Sequence, residues 1–221
     1  MAFRDFTDRF RGAVAAALQQ QVAQDIDRRI CMLLEASITL WERDNWNRFN
    51  DEEDNCTVQV YHWCKVAVRN DSRLRFLEPR FQWVDVTEGM LAGDESVKSA
   101  KRPDLRIEIG GGEVGRSLEC KRLARTGGWC RAYVYQGLTR FVLENYGHGE
   151  PVGYMIGYMH ADTFAELVNK INKQILSHPG MGSMDQLMLL RENRTSSWSR
   201  SCHTCVSDQV IQVDHLMVKL G

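Results

Sequence analysis

Pro103-Asp104-Leu105-Arg106-Ile107-Glu108-Ile109 is followed by four glycines in six residues (Gly110, Gly111, Gly112 and Gly115) and then by Ser117-Leu118-Glu119-Cys120-Lys121-Arg122-Leu123. Leu105, Ile107 and Ile109 alternate with polar residues, the two-residue period of a strand with one buried face. The glycines supply backbone freedom for a turn or bulge, so the two runs predict a β-hairpin. On its second strand Glu119 and Lys121 stand two apart and project to one side, with Leu118 and Cys120 on the other. Asp104 opens the first strand. A hairpin brings its carboxylate beside Glu119, so that two acids and one amine converge.

That combination has a chemical meaning. Phosphodiester hydrolysis uses a hard divalent cation to neutralise developing charge and to lower the pKa of a water, and carboxylate oxygens suit magnesium. A lysine beside them orients the water or stabilises the charged phosphoryl group. The blander reading is a solvated strand edge, because Glu-x-Lys is common. Pro103-Asp104, a glycine turn and an apolar strand carrying Glu119-x-Lys121 together resemble the PD-(D/E)xK nuclease superfamily, which includes restriction endonucleases. The resemblance spans roughly residues 51–159 and is most specific at the hairpin. It implies that Asp104 and Glu119 ligate Mg2+ or Mn2+ and that Lys121 serves the nucleophilic water. It also implies a further carboxylate from a helix ahead of the sheet, for which Glu53 is chosen and Glu52 is the alternative. Gln136, Arg140 and Arg122, on or before the helix after the motif, are the expected substrate-phosphate contacts.

The chain has 221 residues, 43% hydrophobic and 26% charged, enough for one sizeable core. A net charge of -1 does not mark the whole protein as a nucleic-acid binder. Basic residues do gather around the motif, at Lys98, Lys101, Arg102, Arg106, Arg116, Lys121, Arg122, Arg125, Arg131 and Arg140, a distribution suited to a phosphate-binding cleft. Seven scattered cysteines fit a reducing compartment, and the first twenty residues lack the apolar core of a secretory signal. The expected location is cytoplasmic, with no membrane contact.

Val14, Leu18, Val22, Ile26, Ile30 and Leu34 recur every four residues and predict a long N-terminal helix, with Trp41, Trp46 and Phe49 docking onto the body. Asn50 with Glu53 resembles a capped helix start. Residues 81–86 predict the first strand, 87–101 a loop, 131–146 a helix and 152–159 a strand whose Gly153 and Gly157 permit close packing. Thr163 with Glu166 predicts a capping box ahead of a core-facing helix ended by His178-Pro179-Gly180. Residues 181–190 predict a short helix, 191–200 a mobile or substrate-facing polar segment, and 210–220 a closing strand at an edge. Cys202-His203-Thr204-Cys205 has zinc-ligand spacing but lacks a second pair. No Ser-His-Asp order stands out.

The expected fold is α/β, a restriction endonuclease-like core with a mixed central β-sheet flanked by helices. Residues 1–49 form an N-terminal helical extension, packed on the core or used for a homodimer, and residues 50–221 the PD-(D/E)xK nuclease-like domain. The expected function is metal-dependent cleavage of nucleic acid, with DNA favoured. An effector role in prokaryotic anti-phage defence beside a helicase or sensor subunit is inferred from architecture. The alternative is a non-catalytic nuclease-fold scaffold or an oligomerisation subunit of a defence complex.

Overall fold

The computed structural model describes residues 25–82, 102–109 and 114–221. Helix α1 covers 25–43, and α2 runs from Glu53 to Asn70. Strands β1 (Leu77–Phe81), β2 (Leu105–Ile109) and β3 (Val114–Arg122) follow. Helix α3 extends from Trp129 to Val142, with a π-helical segment at Tyr133–Leu138. Then come β4 (Val152–Met159), α4 (Phe164–Leu176), β5 (Met188–Glu192), β6 (Ser196–Thr204) and β7 (Val210–Lys219). The seven strands form one mixed sheet in the order β1-β2-β3-β4-β7-β6-β5. Two antiparallel three-stranded halves, β1-β2-β3 and β5-β6-β7, are joined through β4, which pairs in parallel with β3 and β7.

Each face of the sheet is covered, so its central strands carry apolar residues on both sides. β4 makes the period visible: Tyr154, Ile156 and Tyr158 belong to one core with Ile30, Leu34 and Trp41 of α1 and Val60 and Cys64 of α2. Met155 and Met159 belong to the other, with Tyr133 and Leu138 of α3 and Leu167, Ile171 and Ile175 of α4. Gly153 and Gly157 allow the second layer to come close. A Cβ on Gly153 would lie 2.5 Å from Phe141 Cε1, and one on Gly157 would lie 2.2 Å from Leu123 Cδ1. Thr163 and Glu166 form the reciprocal capping box at the start of α4, as the spacing predicts.

Several expectations need correction. The first strand is Leu77–Phe81, ahead of the 81–86 run, of which 83–86 lie outside the described residues, as do the expected loop 87–101 and helical residues 14–24. Trp41 and Trp46 are buried, but Phe49 is 89% exposed. Asn50 does not cap α2: its Oδ1 accepts from Glu52 N at 2.9 Å, a local turn that ends before the helix, and Glu52 takes the N-cap position without a side-chain bond. Residues 181–190 hold a single 3-10 turn, Ser183–Asp185, and the start of β5. The polar 191–200 segment is largely strand, and Ser197, Ser199 and Ser201 are buried. β7 is not an edge but lies between β4 and β6. Its polar residues deceived because they are bonded inside the protein, Asp214 by Arg200 at 2.7 Å and His215 by two hydroxyls.

All seven cysteines are free thiols. Burial pushes Cys31 and Cys64 up to about 12 and Cys56 and Cys130 up to about 11. Cys202 alone is exposed. Among the described residues no helix is long and apolar enough to cross a membrane.

Candidate active site

Antiparallel pairing sets Leu105 opposite Leu118, and the same register carries Asp104 to the position across from Glu119. Glu119 and Lys121 share one face of β3, as the alternation predicts, while Leu118 and Cys120 enter the opposite core. Glu119 is fully buried, and both of its oxygens are held. Oε1 accepts from Lys121 Nζ at 2.8 Å and Arg140 at 2.7 Å, and Oε2 accepts from the Tyr146 hydroxyl at 2.6 Å. Glu53, the first residue of α2, reaches in from the other layer. Its Oε1 accepts from Lys121 Nζ at 2.9 Å and its Oε2 from the Arg122 backbone N–H at 2.8 Å. Glu52 makes no such contact; its position is the cap.

Asp104 is anchored by the Cys120 N–H, which donates to Oδ2 at 2.7 Å. Burial, then the negative charge of Glu119, push the Asp104 carboxyl up to about 7, against the opposing pull of Lys121. For Lys121 the balance runs the other way. Burial disfavours its charge, yet Glu119 and Asp104 outweigh it and hold the ammonium above its ordinary range.

The oxygens around this cluster bear on metal binding. Lys121 Nζ is surrounded by Glu119 Oε1, Glu53 Oε1 and, at 2.8 Å, the Cys120 carbonyl. This oxygen set already solvates a cation, and together with Asp104 it has the donor chemistry of a hard divalent ion. Among the described residues no group of three or more His, Cys, Asp or Glu stands ready to hold a metal. The two carboxylates, Asp104 and Glu119, and the Cys120 carbonyl are oxygens of the type that magnesium takes alongside water and phosphate oxygens.

Of the expected phosphate contacts, Arg140 lies at the site but is turned onto Glu119. Arg122 packs its guanidinium 5.1 Å from the centroid of the Trp129 ring. Gln136 is exposed on α3. The basic cluster divides. Arg106 pairs with Glu108 at 3.3 Å and with Glu150, and Arg116 pairs with Asp27 at 2.8 Å; these are interior ion pairs rather than a cleft lining. Lys98 and Lys101 lie outside the described residues. Tyr146 was missed by sequence reasoning. It comes from the turn after α3, where no periodicity could tie it to Glu119.

Cys202 and Cys205 do not face each other as a ligand pair, since Cys202 is exposed and Cys205 is buried in the core between α3 and β7. His203 has partners of its own, Ser201 at 2.6 Å and Asp185 at 2.7 Å. Asp185, His203 and Ser201 thus stand in the order of an acid-base-hydroxyl triad, unseen in sequence because Asp185 belongs to a separate turn. All three lie on the β6 side of the sheet, away from Glu119, with Ser201 and His203 buried. No family model, curated protein or solved structure matches this chain.

Proposed function

We infer that this protein is a metal-dependent nuclease of the PD-(D/E)xK type that hydrolyses phosphodiester bonds, with DNA the favoured substrate. The observation that carries the reading is the meeting of Asp104, Glu119, Lys121 and Glu53, distant in sequence, around one set of oxygens. The order of elements supports it as well: a helix bearing Glu53, paired strands bearing Asp104 and Glu119-x-Lys121, a helix, and then a parallel strand. We read this order as that of a restriction endonuclease-like core.

In this reading Asp104 and Glu119 hold Mg2+ or Mn2+, which when bound supplies charge neutralisation and a more acidic water. Asp104 accepts its ionised state more readily beside a cation. Tyr146 and Arg140 keep the Glu119 carboxylate oriented, and Glu53 holds Lys121. The Lys121 ammonium positions the attacking water or stabilises charge on the phosphoryl oxygens. Arg140, held on Glu119 through Nη1 and 39% exposed, turns its remaining donors to substrate phosphate, as does Gln136 of the same helix.

A non-catalytic scaffold is the second reading, favoured by one observation: every oxygen of Glu119 already has protein partners. Plasmid cleavage with magnesium separates the two. Glu119→Ala and Lys121→Ala are each expected to lower the cleavage rate by at least about 100-fold. If wild type and both variants behave alike, the catalytic reading fails.

A further inference from the structure

A second polar system crosses the core on the β6–β7 side. The Tyr133 hydroxyl lies 2.9 Å from His215 Nδ1, and His215 Nε2 lies 2.8 Å from Ser201 Oγ. Ser201 Oγ lies 2.6 Å from His203 Nε2, and His203 Nδ1 lies 2.7 Å from Asp185 Oδ1. Five side chains thus form one unbranched line from α3 to the 3-10 turn at Ser183–Asp185. Tyr133 and His215 are completely buried, and Asp185 is the partly exposed end.

Hydrogen counting gives this line a direction. Asp185, ionised, only accepts, so His203 Nδ1 carries a hydrogen. With both imidazoles neutral, Ser201 donates to His203 Nε2, His215 Nε2 donates to Ser201, and Tyr133 donates to His215 Nδ1. Every donor then has one acceptor, and the line runs from tyrosine to aspartate. Burial works against charge on both imidazoles, opposed at His203 by Asp185 and reinforced at His215 by His203.

A single added proton reverses the order. In that order His215 carries its hydrogen on Nδ1 rather than Nε2, Ser201 and Tyr133 keep one hydrogen each, and His203 carries hydrogens on both nitrogens, so that one proton in all is gained from solvent. The positive charge then resides on His203 beside Asp185. Ser201 donates to His215 Nε2, and His215 donates to Tyr133. The tyrosine hydrogen is left without its acceptor, since His215 is the hydrogen-bond partner of that hydroxyl among the described residues.

We propose that this line is a proton-operated clamp: in its neutral order it fastens the π-helical segment of α3 to β7 through Tyr133, and in its protonated order that fastening is weakened. The ionisable groups facing it are Asp185 from the 3-10 turn, His178 from the end of α4, Cys130 from α3 and Cys120 from β3. α4 otherwise presents Leu167, Ile171 and Ile175 to this core. The same helix carries Arg140 onto Glu119, so acid would loosen the support of that carboxylate; only this last consequence rests on the nuclease reading.

The test is 15N NMR of the full chain with labelled histidine, which reads the tautomers directly. At pH 8 His203 is expected as the Nδ1–H form and His215 as the Nε2–H form. On acidification His215 should become Nδ1–H at the same midpoint at which His203 gains its second proton. Asp185→Asn should lower both midpoints together. Hydrogen exchange, corrected for its intrinsic pH dependence, should show about tenfold less protection in 133–140 below that midpoint for wild type, with no such step in Tyr133→Phe. A His215 tautomer that stays fixed while His203 titrates, or midpoints that separate in Asp185→Asn, would overturn the clamp. Neither readout uses cleavage, so its failure is distinct from failure of the nuclease reading.

Discussion

Among the described carboxyl groups Asp104 carries the clearest pH signature. Its carboxyl is raised from an ordinary 3.8 to about 7, so the folded state holds this proton more tightly than the unfolded chain. The stability it contributes is full below pH 3.8, declines as pH rises, and is lost above about 7. Asp104→Asn, neutral at every pH, is therefore expected to match wild type near pH 3.5 and to be more stable at pH 8, by on the order of 4 kcal/mol. Thermal melts at the two pH values check this. Adding magnesium at pH 8 should raise the melting temperature of wild type and leave the variant nearly unmoved. Tyr146→Phe tests the other side of the site: it removes the 2.6 Å bond to Glu119 Oε2 and is expected to slow plasmid cleavage by about tenfold.

At the scale of elements, close approach between β4 and the layer above it governs what the chain tolerates. Gly157→Ala brings a methyl group within 2.2 Å of Leu123 Cδ1, and an overpacked contact of this kind costs about 1–3 kcal/mol, measurable as a lower urea midpoint. Thr163→Ala removes the cap of α4 and is expected to cost about 1 kcal/mol by the same measurement. These two positions were readable because their signals are local: Thr163-x-x-Glu166 is a spacing, and paired glycines in an apolar strand announce crowding. The hairpin was readable for the same reason. What escaped was polarity satisfied from a distance. Ser201, His203 and His215 look like solvent-facing residues in a linear reading, and only a core that supplies partners from α3 and the 183–185 turn makes them interior. Arg106 and Arg116 misled similarly, since the acids that neutralise them, Glu150 and Asp27, lie 44 and 89 residues away.

Over the whole molecule, α1 is part of the same core as the sheet, with Ile30, Leu33, Leu34 and Trp41 completely buried. Its removal would bare that face of β4, β3 and β2. A chain beginning at Asn50 is expected to aggregate rather than yield a smaller stable monomer, and size exclusion with light scattering checks this. Arrangement of the strands follows from pairing between distant segments, which no window of sequence displays. The hairpin could be placed because its partners are neighbours; β7 could not, because β4 comes some sixty residues before it, with Val152 set against Gln212.

That seam dictates the order of assembly. The β5-β6-β7 meander can zip from its short connections, whereas β4 and β7 must find each other across a loop containing α4, β5 and β6, whose closure entropy is met before any contact rewards it. Until they join, β4 offers a naked apolar margin to any passing strand, so the late-closing seam is where a growing or refolding chain is most open to capture by another copy of itself.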